Sequence, residues 1–409
     1  MYRFNESNWI SDIQEPDLCT IEFMDNKAVF EKSCFSKAIV RCLKQNVETG
    51  KTYKFRVELT HHNIQSVIFP YAIVGFANKD GGFINRIFAN NTDESGNCKE
   101  LVFTVPEETV ALRIELGLKG SGRVEWSVPS VTEYTSNESV KAKLASVYVN
   151  SYNDLDTAFE KIIAAVDVAG KEKPDLMVLS EVIYDLTAGL PISETSENLK
   201  TGGRLLNAIR EKAKEFHSYI VLNLHEKDDE NRYYNTSVLI DRAGEIVGKY
   251  RKTHNSMSEF EKGISPGNEY PVFDTDFGKL GMLICWDLYF PEPARILAQN
   301  GADIIAVSTV GDSAYRQISR ALENGVYVIV SGNHYANKNE HGILPCKIID
   351  TNGIILSQTM SETEPAIAQI DVKDKGRTGY LSIPSTFTDP HNVYMNDRRT
   401  DLYGQISEF

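Results

Sequence analysis

The chain lacks several things at once, and each absence removes a class of function. No apolar run approaches the length needed to cross a bilayer, so a helical membrane protein is excluded. No excess of Lys and Arg is present: the formal net charge is −14, the wrong sign for a nucleic-acid footprint. No HExxH and no paired CxxC occurs, and His61-His62 fall on opposite faces of a strand, so no metal site is expected. No glycine loop of the phosphate- or dinucleotide-binding type is present. Repeats and low-complexity stretches are missing too. The first residues, Met1-Tyr-Arg-Phe-Asn-Glu-Ser-Asn, carry no apolar leader, so the six cysteines are expected reduced and the chain cytoplasmic. What remains is a 409-residue chain, 42% hydrophobic and 24% charged, able to bury a sizeable core and long enough for two or three domains.

The pattern changes near residue 138. Before it, short alternating segments follow one another: 51–60, 66–78, 83–90, 101–105 and 111–117, with Gly120-Ser-Gly122 read as a turn into "RVEWSVPSVTEY". That spacing predicts an all-β sandwich over 1–138. Trp9, Tyr71 and Trp126 are either core residues or platforms for a sugar, and the core reading is favoured. Thr135 to Ser139 reads as a polar linker. From 139 to 409, strands and helices alternate, which predicts an α/β domain. Helices are expected over 154–169, with Gly170 as the stop, and over 203–217, 292–299 and 314–324. Strands are expected over 143–149, 176–180, 219–224, 236–240, 280–284, 302–309 and 326–331.

Three strand ends carry chemistry. "PDLMVLSE" ends in Glu181, "GKYRKTH" contains Lys252, and "GMLICWD" contains Cys285, ahead of a turn marked by Pro291 and Pro293. In open α/β sheets, sites form outside the carboxyl ends of strands. A thiol there, next to backbone N–H groups at a helix start, suits a nucleophile. Taken singly, each residue has a plainer reading: a core cysteine, a solvated carboxylate, one charge in a basic loop.

Together these segments resemble the nitrilase (carbon–nitrogen hydrolase) superfamily. "YYNTSVLIDRAGEIVGKYRKTH", "PGNEYPVFDTDFGKLGMLICWD", "GADIIAVST" and "SRALENGVYVIVSGN" match it as well, and the resemblance runs over about 141–404. It implies a four-layer α-β-β-α sandwich, so the expected fold is a jelly-roll-like, carbohydrate-binding-like β-sandwich (1–138) followed by a nitrilase-type domain (139–409). It also implies a Glu-Lys-Cys triad: Glu181 as base and acid, Lys252 for the oxyanion, Cys285 as nucleophile. Lys252 is then expected to lower the Cys285 pKa. A second glutamate is placed at Glu261, with Glu259 as the alternative. The Trp286 N–H assists the oxyanion, and Tyr250 and His254 line the pocket. Asp287, Glu292, Arg320 and Glu323 are expected to be structural.

The implied reaction is hydrolysis of an amide or N-carbamoyl bond through a thioester, without metal or cofactor. Nitrile hydrolysis and acyl transfer are the alternatives on the same triad; a silent glycan- or protein-binding chain is the alternative of another class. "CWD" looks more like amidases and carbamoylases than nitrilases. Loops 184–200, 255–267 and 311–316 are expected to select substrate. The expected partners are a small amide, a glycan at the N-terminal domain as an open option, no nucleic acid or membrane, and a second copy in a homodimer or larger assembly.

Overall fold

The computed structural model describes residues 8–24, 26–44, 47–66, 70–92, 96–135, 139–150, 152, 154–182, 190–310, 314–333, 343–376, 378–379, 386–396, 398 and 400–407. The chain divides into two compact units, Met1–Glu138 with Gly376–Phe409, and Ser139–Lys375. The carboxyl-terminal segment therefore packs with the first unit, where the sequence pattern had assigned it to the second. The reason is a ladder: Thr386–Thr388 pairs in parallel with Phe83–Phe88, and Thr378–Gly379 pairs with Thr386–Thr388 in turn.

Among the described residues the first unit holds two seven-stranded sheets. One runs Trp9–Ile13, Ala38–Lys44, Ala111–Leu118, Tyr71–Ala77, Phe83–Phe88, Thr386–Thr388 and Thr378–Gly379. The other is built on the long strand Thr52–Ser66, flanked by Gly120–Ser127, Cys98–Thr104 and Ser130–Glu133. Inward side chains of both sheets share one core, including Trp9, Phe30, Phe55, Phe76, Phe103, Ile114 and Trp126. The aromatics considered as sugar platforms are thus buried: Trp9, Tyr71 and Trp126 are 2%, 6% and 0% exposed. The turn expected at Gly120-Ser-Gly122 is instead part of a strand. The register slips between Ser121 and Arg123, and Gly122 takes φ +119°, a conformation only glycine adopts without strain.

The second unit has two six-stranded sheets. One orders Ile246–Arg251, Tyr233–Ile240, Tyr219–Lys227, Leu176–Val178, Lys141–Ser146 and Ala366–Asp371. The other orders Val272–Thr275, Gly278–Ile284, Ile304–Ser308, Tyr327–Ser331, Cys346–Ile349 and Ile355–Thr359. The central strands of each are parallel, and their side chains are buried on both faces, which is why they read as unbroken apolar runs. Serines join the two sheets. Ser308 Oγ donates to Leu179 O at 2.8 Å, Ser331 Oγ donates to Val147 O at 2.7 Å, and Ser146 Oγ donates to Val330 O.

Helix Leu155–Lys171 starts where Asp154 accepts the Thr157 N–H at 2.7 Å, and it buries Ala158, Ile162, Ala165, Val166 and Ala169. Gly170 does not stop it. The helix runs through to Lys171, and a methyl at Gly170 would collide with Phe216 of helix Arg204–Phe216. That second helix takes its cap from outside: Glu197 accepts the Leu205 and Leu206 N–H groups, both at 2.9 Å. His217 closes it in the left-handed region. Helices Pro291–Gln299 and Ala314–Asn324 pack on each other, against strands Gly278–Ile284 and Tyr327–Ser331 respectively. Among the described residues no helix is long and apolar enough to cross a membrane.

Candidate active site

Three strand ends of the second unit supply the site. The strand Leu176–Val178 runs out three residues before Glu181, Ile246–Arg251 ends one residue before Lys252, and Gly278–Ile284 ends at the residue before Cys285. Glu181 and Lys252 are buried, at 3% and 2% exposed, and both would be costly to bury alone.

They are not alone. Lys252 Nζ donates to Glu181 Oε1 at 2.9 Å and to Glu259 Oε2 and Oε1 at 2.8 and 3.0 Å. Asn235 Nδ2 donates to the same two carboxylates, at 2.8 Å to Glu181 Oε1 and 2.7 Å to Glu259 Oε1. The two donors and two acceptor oxygens close a ring. The second glutamate at the lysine is therefore Glu259, not Glu261. Glu261 is exposed at the end of the short helix Met257–Glu261, whereas Glu259 is buried and also accepts the Ser256 N–H at 2.7 Å. One turn of helix carries the two glutamates to different sides. Ser256 and Glu259 stand at the spacing of a capping box, a signal in the sequence that would have chosen correctly.

Burial alone would push the Lys252 ammonium down. The negative charges of Glu181 and Glu259, and the Glu259 hydrogen bonds, outweigh it and hold Lys252 well above the usual lysine range. Burial likewise pushes the Glu259 carboxyl up, but Lys252, Asn235 and the Ser256 N–H bring it below the ordinary value.

Cys285 opens the 3₁₀ turn Cys285–Tyr289 with φ +41°, an uncommon conformation for a side chain with a Cβ and one associated with strained functional turns. The residue stays partly exposed. Its thiol is pushed up to about 12, first by burial and then by Glu181; Lys252, Thr309 and the Val310 N–H pull the other way and lose. Lys252 lowers it as expected, but burial and Glu181 outweigh the lysine and the net shift is upward. Two carboxylates already share one ammonium, so a thiolate would be an added, uncompensated negative charge in a buried place. The Val310 N–H joins the two reacting groups: it donates to Glu181 Oε2 at 3.1 Å and also lies against the Cys285 sulfur.

Asp287 organises the turn after the cysteine. Fully buried, it accepts from Tyr250 OH at 2.7 Å, the Ile284 N–H at 3.0 Å, His254 Nδ1 at 2.9 Å, the His254 N–H at 3.1 Å and Thr253 Oγ1 at 3.2 Å. Tyr250 is thus a buried anchor, and its hydroxyl is raised well above the ordinary tyrosine value by burial and by Asp287. His254 is half-buried and stacks on Phe290 at 4.2 Å between centroids. Trp286 stacks on Tyr289 at 4.1 Å, and both keep 38% exposure; the Arg316 guanidinium lies 4.0 Å from the Tyr289 ring centre. Arg320 reaches in from helix Ala314–Asn324, and its Nη2 donates to Leu288 O at 3.0 Å. Of the loops expected to select substrate, 255–267 is described; 183–189 and 311–313 lie outside the described residues. Among the described residues no three His, Cys, Asp or Glu side chains are grouped to hold a metal ion.

Asn235, Asn223, Thr309 and Val310 were not read from sequence as site residues. The available signal was a buried-strand pattern interrupted by amides, at Asn223 in "YIVLNLHEK" and Asn235 in "YYNTSVLI".

Residues 143–380 match the family model described as carbon-nitrogen hydrolase. The chain is 30% identical over 270 residues to a protein named nitrilase from Pyrococcus abyssi, covering 64% of this chain and 98% of that one. It is 31% identical over 235 residues to a deaminated glutathione amidase from Dictyostelium discoideum, covering 51% and 80%. The crystal structure of a carbon-nitrogen hydrolase from Helicobacter pylori G27 shares the fold, with a TM-score of 0.53 at 20% identity, over 67% of this chain and 100% of that one.

Proposed function

We infer the chemistry of this chain from its family: it belongs to the carbon–nitrogen hydrolases. On that premise it hydrolyses an amide or N-carbamoyl C–N bond through a thioester on Cys285. The observation that carries this reading is the buried ring of Glu181, Lys252, Glu259 and Asn235, with Glu181 and Cys285 meeting at the Val310 N–H.

The raised thiol pKa sets the order of events. Cys285 waits as the thiol, and its proton passes to Glu181 as the sulfur attacks the carbonyl carbon. The C–S bond forms while the carbonyl π pair moves onto oxygen. Lys252 and the Trp286 N–H, free of intrahelical partners at the start of its turn, stabilise that oxyanion. Glu181 returns the proton to the leaving nitrogen, the C–N bond breaks, and ammonia or an amine departs. Water then gives a proton to Glu181 and attacks the thioester. The C–S bond breaks, the acid leaves, and the proton goes back to sulfur. Glu259 accepts from Lys252 throughout and keeps it charged when Glu181 is protonated.

The relatives carry both amidase and nitrilase names, so nitrile hydrolysis and acyl transfer to an amine are the competing outcomes on the same residues. The serine cross-links between the sheets, with helices packed on each, support an α-β-β-α stacking for the second unit. The glycan reading of the first unit loses its residues, because its candidate aromatics are core. The test is ammonia release from a panel of amides, N-carbamoyl compounds and nitriles by wild type, Cys285→Ala and Glu181→Gln. The reading expects release by wild type alone. Release by Cys285→Ala at the wild-type rate would refute it. Light scattering of the same preparations tests the expected homo-oligomer.

A further inference from the structure

We propose that Asn223 is a positioning residue for the base Glu181, acting through two arms of a hydrogen-bond relay; the proposal rests on the reaction inferred above. The relay starts at a backbone group whose role is fixed. The Val182 N–H can only donate, and it donates to the Asn223 side chain at 2.7 Å, so the atom facing it is the Asn223 carbonyl oxygen Oδ1. The Asn223 Nδ2 must then point the other way, where it donates to Asn235 Oδ1 at 2.9 Å and Ser237 Oγ at 3.1 Å. With its oxygen occupied there, Asn235 turns its own Nδ2 toward the carboxylates of Glu181 and Glu259. One backbone N–H beside the base thereby fixes the orientation of an amide two side chains away. Asn223, Asn235 and Ser237 are all buried, at 0%, 1% and 0% exposed, where a misdirected amide is costly.

The first arm is the main chain. Val182 holds φ +35°, a strained value for a β-branched residue, and Asn223 holds that peptide directly after Glu181. The second arm is the side chain of Asn235. Glu181 faces Lys252, Glu259 and Cys285 as its charged or titratable neighbours, and Asn235 Nδ2 and the Val310 N–H as its neutral donors. If Asn235 turned over, its oxygen would face two carboxylates served by one ammonium, and one carboxylate would take up a proton. A protonated Glu181 cannot accept the thiol proton. The relay therefore holds a donor, not an acceptor, against the base and keeps its carboxylate aimed.

Asn223→Asp tests this with almost no change of shape. An aspartate still accepts the Val182 N–H, but as a carboxylate it cannot donate to Asn235 Oδ1. The measurement is the pH profile of kcat and KM for ammonia release, with a thermal melt on each sample. The proposal expects the acid limb of kcat/KM to move up by about one pH unit, kcat to fall about tenfold to a hundredfold, and KM to change by less than about threefold. Should Asn223→Asp not fold, Asn235→Ser, too short to bridge both carboxylates, is expected to give the same shift of the limb. A folded variant with the wild-type acid limb overturns the proposal, as does a loss that falls on KM alone. Glu181→Gln separates the two levels: if it turns over like wild type, the base assignment itself fails, whereas a dead Glu181→Gln beside a wild-type profile for Asn223→Asp sinks only the relay.

Discussion

Replacing Glu259 by glutamine and, separately, Glu261 by glutamine distinguishes two carboxylates that lie two residues apart. At Glu259 the change removes the charge from a buried group that receives two bonds from Lys252, one from Asn235 and one from the Ser256 N–H. A glutamine has one oxygen where the carboxylate has two, so it keeps either the Asn235 bond made to Oε1 or the Ser256 N–H bond made to Oε2, while Lys252 keeps Glu181 as a partner. Besides that one neutral bond, what is lost is the charge-assisted contact to Lys252, worth about 1.5–3 kcal/mol, rather than the larger penalty of an orphaned buried ion. Spread over positioning of Lys252 in the transition state, that is about tenfold to a hundredfold in kcat/KM. At Glu261 the carboxylate is exposed, and the change should stay within about 0.5 kcal/mol and about twofold in rate. The assay is ammonia release below the melting range of both variants, alongside their melts. The sign of the pH effect follows from the lowered Glu259 pKa. A depressed carboxyl stabilises the fold above its unfolded value and stops doing so as pH falls through the folded one. The melting gap between wild type and Glu259→Gln should therefore be full at neutral pH and narrow below about pH 4. Equal losses at 259 and 261, or a gap that widens on acidification, would refute the reasoning.

Further outcomes are expected. Lys252→Met should abolish turnover and also destabilise by about 3–5 kcal/mol, since it leaves two buried carboxylates without their cation; unfolding of the variant at neutral pH checks it. Asp287→Ala strands several donors in the turn beside Cys285 and should cost about 3–5 kcal/mol, while Asp287→Asn keeps part of the acceptor set and should cost less, read from their melting curves. In Glu181→Gln, alkylation of Cys285 by a small uncharged electrophile should keep rising above about pH 9, because burial raises the thiol and the base is gone. A plateau reached near neutrality would contradict that. Trp126→Ala should cost about 3–5 kcal/mol of stability in the first unit.

Much of the site was legible because apolar runs that stop abruptly at a charged or nucleophilic residue mark strand ends. "LMVLSE" and "MLIC" do so, at Glu181 and Cys285, whereas the strand before Lys252, "IVGKYR", is mixed, and Lys252 stood out through the family resemblance of "GKYRKTH". Glu259 was ranked behind Glu261 because five residues of helix carry no periodic signal, and the Ser256–Glu259 capping spacing was passed over for loop position. The asparagines were missed for another reason: a polar residue in a strand reads as outward-facing unless its partner, distant in sequence, is known. The carboxyl-terminal strands, of two and three residues, are too short for alternation to show. The net thiol shift is upward because a sequence shows that a lysine is near, but not how deeply the thiol is buried or that Glu181 lies beside it.

The most direct test of the account is intact-protein mass spectrometry of wild type and Cys285→Ser after brief exposure to the amide, N-carbamoyl and nitrile panel, with peptide mapping of any adduct. The account predicts a transient acyl mass on Cys285 of wild type, released by water with the corresponding acid. Turnover of a panel member with the acyl group on another residue, or undiminished in Cys285→Ser, would contradict it.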